Sequence, residues 1–462
     1  MDKKILAGTL VLALCLGMVI PAIPAREGSP VIKVAYKYSK PFHQKNLEMD
    51  IDMAREVLEE RGVEVNIKAI GMNVATDEDW KARLALDFMS GTAADVVFID
   101  GFWVASLASA GYLLPLPVEE WPEWDKFYPS MQWYSTYKGE VYSTVVDTDV
   151  RMLFYNKATF KKAGLPEEWE PKTWDDVLST LRTIKQELPG VTPFASDITA
   201  IQGEATTMQN FEMTYLGSLP EDRVKQGTWL YDPALDKWIV NEEGLTDTLQ
   251  FLRTIYIDEK LGDPIAALEA GILDWKRRCE DLKDGKLAVA LDGCWNYEDT
   301  WGLDAAVPWP EREEELGWAP MPGSGREGTP MFTCIGGGWA WAINSDTKHP
   351  DLAFGVVKAL ASPKVLSFHN SFTAHIPPRS DVRLSKEFTR YPAVIDFLEN
   401  ATEKLMPYST FRPGMPDYPK VSELIYKMVE SVCIGDKTPQ QAYERYLSKL
   451  TKLVGSGNVL VE

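Results

Sequence analysis

The order in which two periodicities succeed one another constrains this chain most. Val31 to Tyr36 alternates, with Ile32, Val34 and Tyr36 on one side, which is the pattern of a half-buried strand. Leu47, Ile51, Ala54 and Leu58 then recur at helical steps before Gly62, an amphipathic helix with its stop. Val63, Val65 and Ile67 alternate again, Trp80, Leu84 and Phe88 mark a second helix ending at Gly91, and Asp95 to Ile99 is a short buried strand. Such β-α-β-α-β succession predicts a largely parallel sheet covered by helices, and sheets of this kind hold ligands outside the carboxyl ends of their strands. Asp100 stands at one such end.

The rest of the chain repeats the theme without an internal repeat or long linker. Thr173 is placed to cap a helix with Asp176 as capping-box partner, and Val177, Leu181, Ile184 and Leu188 form its apolar stripe before Pro189 and Gly190. A Pro-Gly-rich stretch runs from Trp318 to Pro330, a turn is expected at Gly336-Gly337-Gly338, and two helices are predicted over about 418–431 and 439–454. At 462 residues the chain exceeds a single compact core, so two or three domains, or two lobes sharing the chain, are expected.

Charge and composition exclude several functions. With 68 acidic against 48 basic residues the net charge is -20, which repels phosphate backbones, so no nucleic acid partner is expected. His43, His349, His369 and His375 form no HExxH and the five Cys form no CxxC, so neither a metal site nor a cofactor is expected. Gly323, Gly325 and Gly328 spell GxGxxG, but the prolines around them leave no strand before and no helix after, and a dinucleotide site needs both. Asn400-Ala401-Thr402 is a glycosylation sequon of a kind that arises by chance.

The amino terminus reads as an address. Two lysines precede an uncharged apolar run from Ile5 to Ile23, and Ala25 follows just before Arg26. This predicts an export signal over 1–25, cleaved near Ala25; a retained membrane anchor or lipidation at Cys15 are the alternatives. Cys279, Cys294, Cys334 and Cys433 remain, an even number in an oxidising compartment. Their spacing indicates no pairing, so disulfides and buried free thiols are both open.

Among groups that carry chemistry, Asp147, Asp149 and Arg151 alternate, so an extended backbone points all three to one face. Two carboxylates and a guanidinium there form either a ligand clamp or an ion pair. Asp100 is either a ligand contact or the cap of the helix after it. His43, near the end of the first strand, is a hydroxyl partner or an ordinary polar residue, and Gln209 and Glu212 are weaker candidates.

Ordered blocks of sequence carry a resemblance. The segment DVVFIDGFWVASLASAGYLLPL (Asp95 to Leu116) is similar to the strand, ligand loop and helix of the extracellular solute-binding proteins, family 1, which serve ABC importers of sugars. KGEVYSTVVDTDVRMLFYNKATFKKAGL (Lys138 to Leu165) resembles that family's lobe-crossing segment, and DGKLAVALDGCWN (Asp284 to Asn296) the strand leading to a ligand-stacking Trp. PKTWDDV, the blocks from Gly317 to Val382, and RPGMPDYPKVSELI (Arg412 to Ile425) follow in order.

The resemblance implies an α/β, two-lobe periplasmic-binding-protein fold, each lobe a mostly parallel sheet flanked by helices, with hinge crossovers. It implies an N-terminal lobe of 30–147 with 316–383 and a C-terminal lobe of 148–315 with 384–462. It favours Asp149 and Arg151 as ligand contacts and adds Trp103, Trp295 and Trp339 as stacking faces. Tyr38, Gly338 and Arg412 complete the set with His43, Asp100, Asp147 and Gln209. The implied function is non-enzymatic: a monomer outside the cytoplasm binds a carbohydrate, a sugar or polyol, and delivers it to the membrane permease of an ABC importer.

These residue types suit such a ligand. Carboxylates and guanidinium groups make charge-assisted hydrogen bonds to hydroxyls, and aromatic rings cover the C–H faces of a sugar. Two other functions fit part of the pattern. A secreted carbohydrate hydrolase also uses paired carboxylates, although Asp147 and Asp149 beside Arg151 leave no obvious general acid. The ligand-sensing module of a signalling receptor uses the same fold.

Overall fold

The computed structural model describes residues 29–389 and 391–462; the expected export signal lies outside the described residues. The first strand, Val31–Tyr38, buries Ile32, Val34 and Tyr36 as the alternation requires. Pro41 opens the helix Pro41–Glu60, where a missing backbone N–H costs nothing. Its face of Leu47, Ile51, Ala54 and Leu58 is buried, each larger side chain contributing about 1.5–3 kcal/mol. The second strand, Asn66–Asn73, starts three residues later than the alternation suggests. Val63 donates its N–H to Leu58 O at 2.9 Å to close the helix and so cannot join the ladder. Thr76 and Asp79 form a capping box for the helix Asp77–Met89, and the buried strand Val96–Asp100 ends at the expected carboxylate.

Five strands make the first sheet, in the order Asn66–Asn73, Val31–Tyr38, Val96–Asp100, Trp339–Ile343, Ser143–Val145. The first three run parallel, whereas Trp339–Ile343 is antiparallel to both its neighbours. The second sheet, Leu316–Ala319, Arg151–Asn156, Leu287–Gly293 and Thr192–Ala195, has the same construction. Arg151–Asn156 is antiparallel to the strands on both sides, and Leu287–Gly293 is parallel to Thr192–Ala195. Each sheet is thus mostly parallel with one reversed strand, and that strand is the one the chain sends across from the other lobe.

One expected boundary shifts. The segment 316–336 was expected in the first lobe, but Leu316–Ala319 pairs with Arg151–Asn156 in the second sheet. Cys334–Gly336 pairs in parallel with Ser409–Phe411. The return crossing therefore falls at Gly337 and Gly338. Pro-Gly punctuation before Phe332 marks a hairpin within one lobe, Met321–Pro322 antiparallel to Phe332–Gly336, rather than a passage between lobes.

Three crossing segments lie side by side. Val146 N–H donates to Trp339 O at 2.8 Å, Thr148 exchanges two backbone bonds with Ile376, and Thr148 Oγ1 donates to Gly337 O at 3.0 Å. Gly338 has φ +151, and a Cβ there would lie 2.2 Å from Asp147 O, so only glycine lets the crossings approach this closely. The capping box of Thr173 and Asp176 starts the helix Trp174–Glu187 as expected, and the last two helices are Tyr418–Cys433 and Pro439–Val454. Cys279, Cys294, Cys334 and Cys433 are buried free thiols, so no disulfide joins them. Among the described residues no helix is long and apolar enough to cross a membrane, and no cluster of His, Cys, Asp and Glu could hold a metal ion.

Candidate functional site in the interlobe cleft

The carboxyl end of Val96–Asp100, the crossings and the segments after Leu287–Gly293 and Ser409–Phe411 converge on a cavity of about 230 Å³. Ten of the twelve expected residues line it. They are His43, Asp100, Asp147, Asp149 and Arg151, with Gln209, Trp295, Gly338, Trp339 and Arg412. The alternation argument holds: Asp147, Asp149 and Arg151 all face the cavity.

Tyr38 and Trp103 do not line it. Tyr38 is half-buried beside Tyr36, ring centroids 6.5 Å apart, because it lies on the flank of the first sheet's core. Trp103 is 1% exposed and meets Trp339 edge-on at 5.9 Å. The turn after Asp100 points its indole inward, so it supports the Trp339 ring from behind.

The acids in the wall are held in different ways. Asp147 Oδ1 accepts the Trp339 N–H at 2.8 Å, and its Oδ2 lies 3.1 Å from His369 Nε2. The other ring nitrogen of His369 is 2.6 Å from Asp50 Oδ2. Burial alone would pull the imidazole's pKa down, but Asp50 and Asp147 on either side push it up to about 10, so it is an imidazolium at neutral pH. For Asp147, burial is outweighed by His375, His369 and the Trp339 amide, which hold its carboxyl below the usual range. Asp147 thus makes the ion pair expected at the crossing while lining the cavity.

Asp100 is the turn cap of its second reading and also lines the cavity. Its Oδ1 accepts the Phe102 N–H at 3.4 Å as a turn cap and lies 3.0 Å from Arg412 Nη2. Arg412 also donates to Tyr134 Oη at 2.8 Å and to Glu204 Oε2 at 2.7 Å. The chain reaches this point because Ser409–Phe411 pairs with Cys334–Gly336, and Gly337 beside it has no side chain to block the guanidinium. A Cβ there would be 2.8 Å from Arg412 Nη2 and 3.2 Å from Asp149 Oδ2. Burial raises the pKa of Asp100 and Glu204 against the pull of Arg412.

Behind Glu204, Tyr418 Oη lies 2.8 Å from Glu204 Oε1 and 3.0 Å from Glu212 Oε1. Burial and then Glu204 push the Glu212 carboxyl up to about 8. The Tyr418 hydroxyl joins the two carboxyls. Glu212 therefore belongs to the support of the site and not to its wall.

Arg151 turns Nε and Nη2 to Gln209 Oε1 at 3.0 and 2.8 Å and Nη1 to Asn210 Oδ1 at 3.1 Å, with its guanidinium 4.6 Å from the Trp295 ring centre. Trp295 lies close over Gly293, where a Cβ would fall 1.8 Å from the ring. Asp149 differs from the other acids in the wall in having no ion pair among the described residues. It is 8% exposed, and its Oδ1 is buried without a hydrogen-bond partner among the described residues. Burial raises its pKa, against the pull of Arg151, His375 and Arg412.

Several wall residues were missed in the sequence: Lys37, Asp77, Asp299, His369 and His375. Lys37 pairs with Asp77 and His375 stacks on Trp295 at 6.2 Å. Only contacts distant in the chain give them their place. The cleft continues past Trp295 into a second compartment of about 210 Å³, where Lys40 Nζ lies 4.0 Å over Trp275.

Two α/β lobes that exchange strands and enclose between them a cavity of indoles and carboxylates have the form of a solute-binding protein. The chain belongs to the bacterial extracellular solute-binding proteins, whose family model matches residues 51–366. Members of this family bind ligands for ABC transporters, and membership implies export. A relative described as a probable amino-acid ABC transporter periplasmic-binding protein, from Sinorhizobium fredii, is 23% identical over 420 residues, 84% of this chain and 82% of its own. Among solved structures, the GacH receptor of Streptomyces glaucescens, studied unliganded and with acarbose, superposes with a TM-score of 0.72 at 21% identity, covering 92% of this chain and 98% of its own. An ABC transporter solute-binding protein from Thermotoga lettingae bound to α-D-tagatose gives 0.70 at 23% identity, over 92% and 100%.

Proposed function

We propose that the protein captures a carbohydrate in the interlobe cleft and delivers it unchanged to the membrane permease of an ABC importer. The observation that carries this reading is the pairing of two half-buried indoles, Trp295 and Trp339, with the unpartnered Asp149 carboxylate in one cavity. Indole faces match the C–H side of a sugar ring, and a desolvated carboxylate is completed by its hydroxyls. The acarbose and tagatose bound by structural neighbours support it. Release without chemistry is favoured because both oxygens of Asp147 are engaged, by the Trp339 amide and His369, so it presents no free nucleophile beside Asp149.

In this reading the segment 1–25 directs export and is removed near Ala25, and the mature protein works as a monomer. Calorimetric titration with a panel of mono- and oligosaccharides, followed by recovery of the sugar, tests the function. Saturable binding with intact sugar recovered is expected. Cleaved sugar, or no binding to any member, refutes it.

A further inference from the structure

Most charges around the cavity close into ion pairs, and Asp149 and Arg151 stand outside them. Lys37 is joined to Asp77, Lys40 and His43 to Asp299, His369 to Asp147, and Arg412 to Asp100. Arg151 turns three of its nitrogens to the side-chain oxygens of Gln209 and Asn210 and its face to Trp295. Among the wall's acids, only Asp149 has no cation within ion-pairing distance among the described residues, and its Oδ1 is buried without a partner. What the ligand meets is therefore an acceptor that demands donors.

We infer that Asp149 is a charge filter: the cleft takes hydroxylated ligands that are neutral or carry an amine, and rejects those bearing a carboxylate or phosphate. This inference deepens the carbohydrate reading and rests on it for the word sugar, but the discrimination itself follows from the wall. A neutral hydroxyl or an ammonium group donates to Asp149 and repairs its lost hydration. An anionic group brings a second negative charge into a desolvated space where Lys37, Lys40, His369 and Arg412 already serve other acids and Arg151 is held by the amide oxygens of Gln209 and Asn210. Like charges so placed are strongly disfavoured.

The inference ranks ligands by charge at constant shape, which suits a matched series. Glucose, glucosamine, glucuronate and glucose 6-phosphate, with the corresponding disaccharides, form a sugar arm. Amino acids, with the amides and amines that lack their carboxylate, form a second arm. Affinities for the full mature chain are measured by calorimetry, for the native protein and for Asp149→Asn, which keeps shape and removes charge.

Anionic members are expected to bind on the order of 100-fold more weakly than their neutral counterparts, and Asp149→Asn is expected to narrow that gap about tenfold or more while weakening neutral ligands. Binding confined to neutral or amine-bearing members of the second arm would refute the carbohydrate reading and leave the filter standing. Anionic members binding as well as neutral ones in either arm, a gap unchanged in Asp149→Asn, or no binding in both arms, overturns the filter.

Discussion

Lys40 Nζ lies 2.9 Å from Asp299 Oδ2 across the mouth of the cleft, and His43 Nε2 lies 2.8 Å from the other oxygen of the same carboxylate. Lys40 and His43 start the helix Pro41–Glu60 beside the first sheet, while Asp299 follows the strand Leu287–Gly293 of the second. The pair therefore ties the two lobes together. Burial opposes the charge on Asp299, yet His43 and Lys40 hold its carboxyl well below the usual range. Asp299→Asn should loosen this tie and weaken ligand binding about fivefold, chiefly through faster dissociation, as a partly exposed pair is worth about 1 kcal/mol. Stopped-flow dissociation at two salt concentrations checks this; equal rates in both proteins would remove the tie from closure.

Asp149 gives the sharpest contrast between binding and stability. Its replacement by Asn relieves a buried, unpartnered charge, so the ligand-free melting temperature should stay level or rise. Affinity for a neutral sugar should fall about tenfold. Trp295→Ala should cost a similar factor by removing a stacking face. A scan of melting temperature with and without ligand reads both effects, and a fall in the ligand-free value for Asp149→Asn would contradict them.

His369 should behave in the opposite way. Removing it as His369→Ala leaves Asp50 and Asp147 facing one another in the core with no cation between them. Breaking a buried pair in this manner costs about 3–5 kcal/mol. Denaturant unfolding should show the loss even without ligand. A change below about 1 kcal/mol would mean that the two carboxyls share a proton instead.

Stability should decline as the solution becomes alkaline. Glu212 has a folded pKa of about 8 against an ordinary 4.5. Folding favours its neutral form, so its contribution is full below about pH 4.5 and is lost as pH rises through about 8. His369, raised from 6.5 to about 10, contributes fully below 6.5 and loses that contribution as pH rises through about 10. Melting temperatures should therefore fall from pH 5 to pH 9, and Glu212→Gln, fixed in the neutral state, should flatten the part of the curve below pH 8. An unchanged slope in that variant would show that Glu212 is ionised in the native protein.

Local signals were legible in the sequence. The alternation of Ile32, Val34 and Tyr36, the stripe of Leu47, Ile51, Ala54 and Leu58, and the Thr173 capping box produce the elements they suggest, because each depends on neighbours within one turn or strand. Asp147, Asp149 and Arg151 share a face for the same reason. Three kinds of feature were not legible. Trp103 turns inward at the strand end, the return crossing comes at Gly337 and not near Leu316, and His369 is drawn between Asp50 and Asp147 from more than two hundred residues away. Each depends on which strands adjoin in space, and no local pattern encodes that.

The strand exchange has a temporal consequence. Trp339–Ile343 sits between Val96–Asp100 and Ser143–Val145, so the ladder started by the first hundred residues has an open seam until the ribosome has made nearly three quarters of the polypeptide. Neither sheet is completed by one continuous stretch of the chain. The molecule must wait for its own late chapters before it closes the early ones, and an immature chain keeps its hydrogen-bonding edges bare for most of its birth.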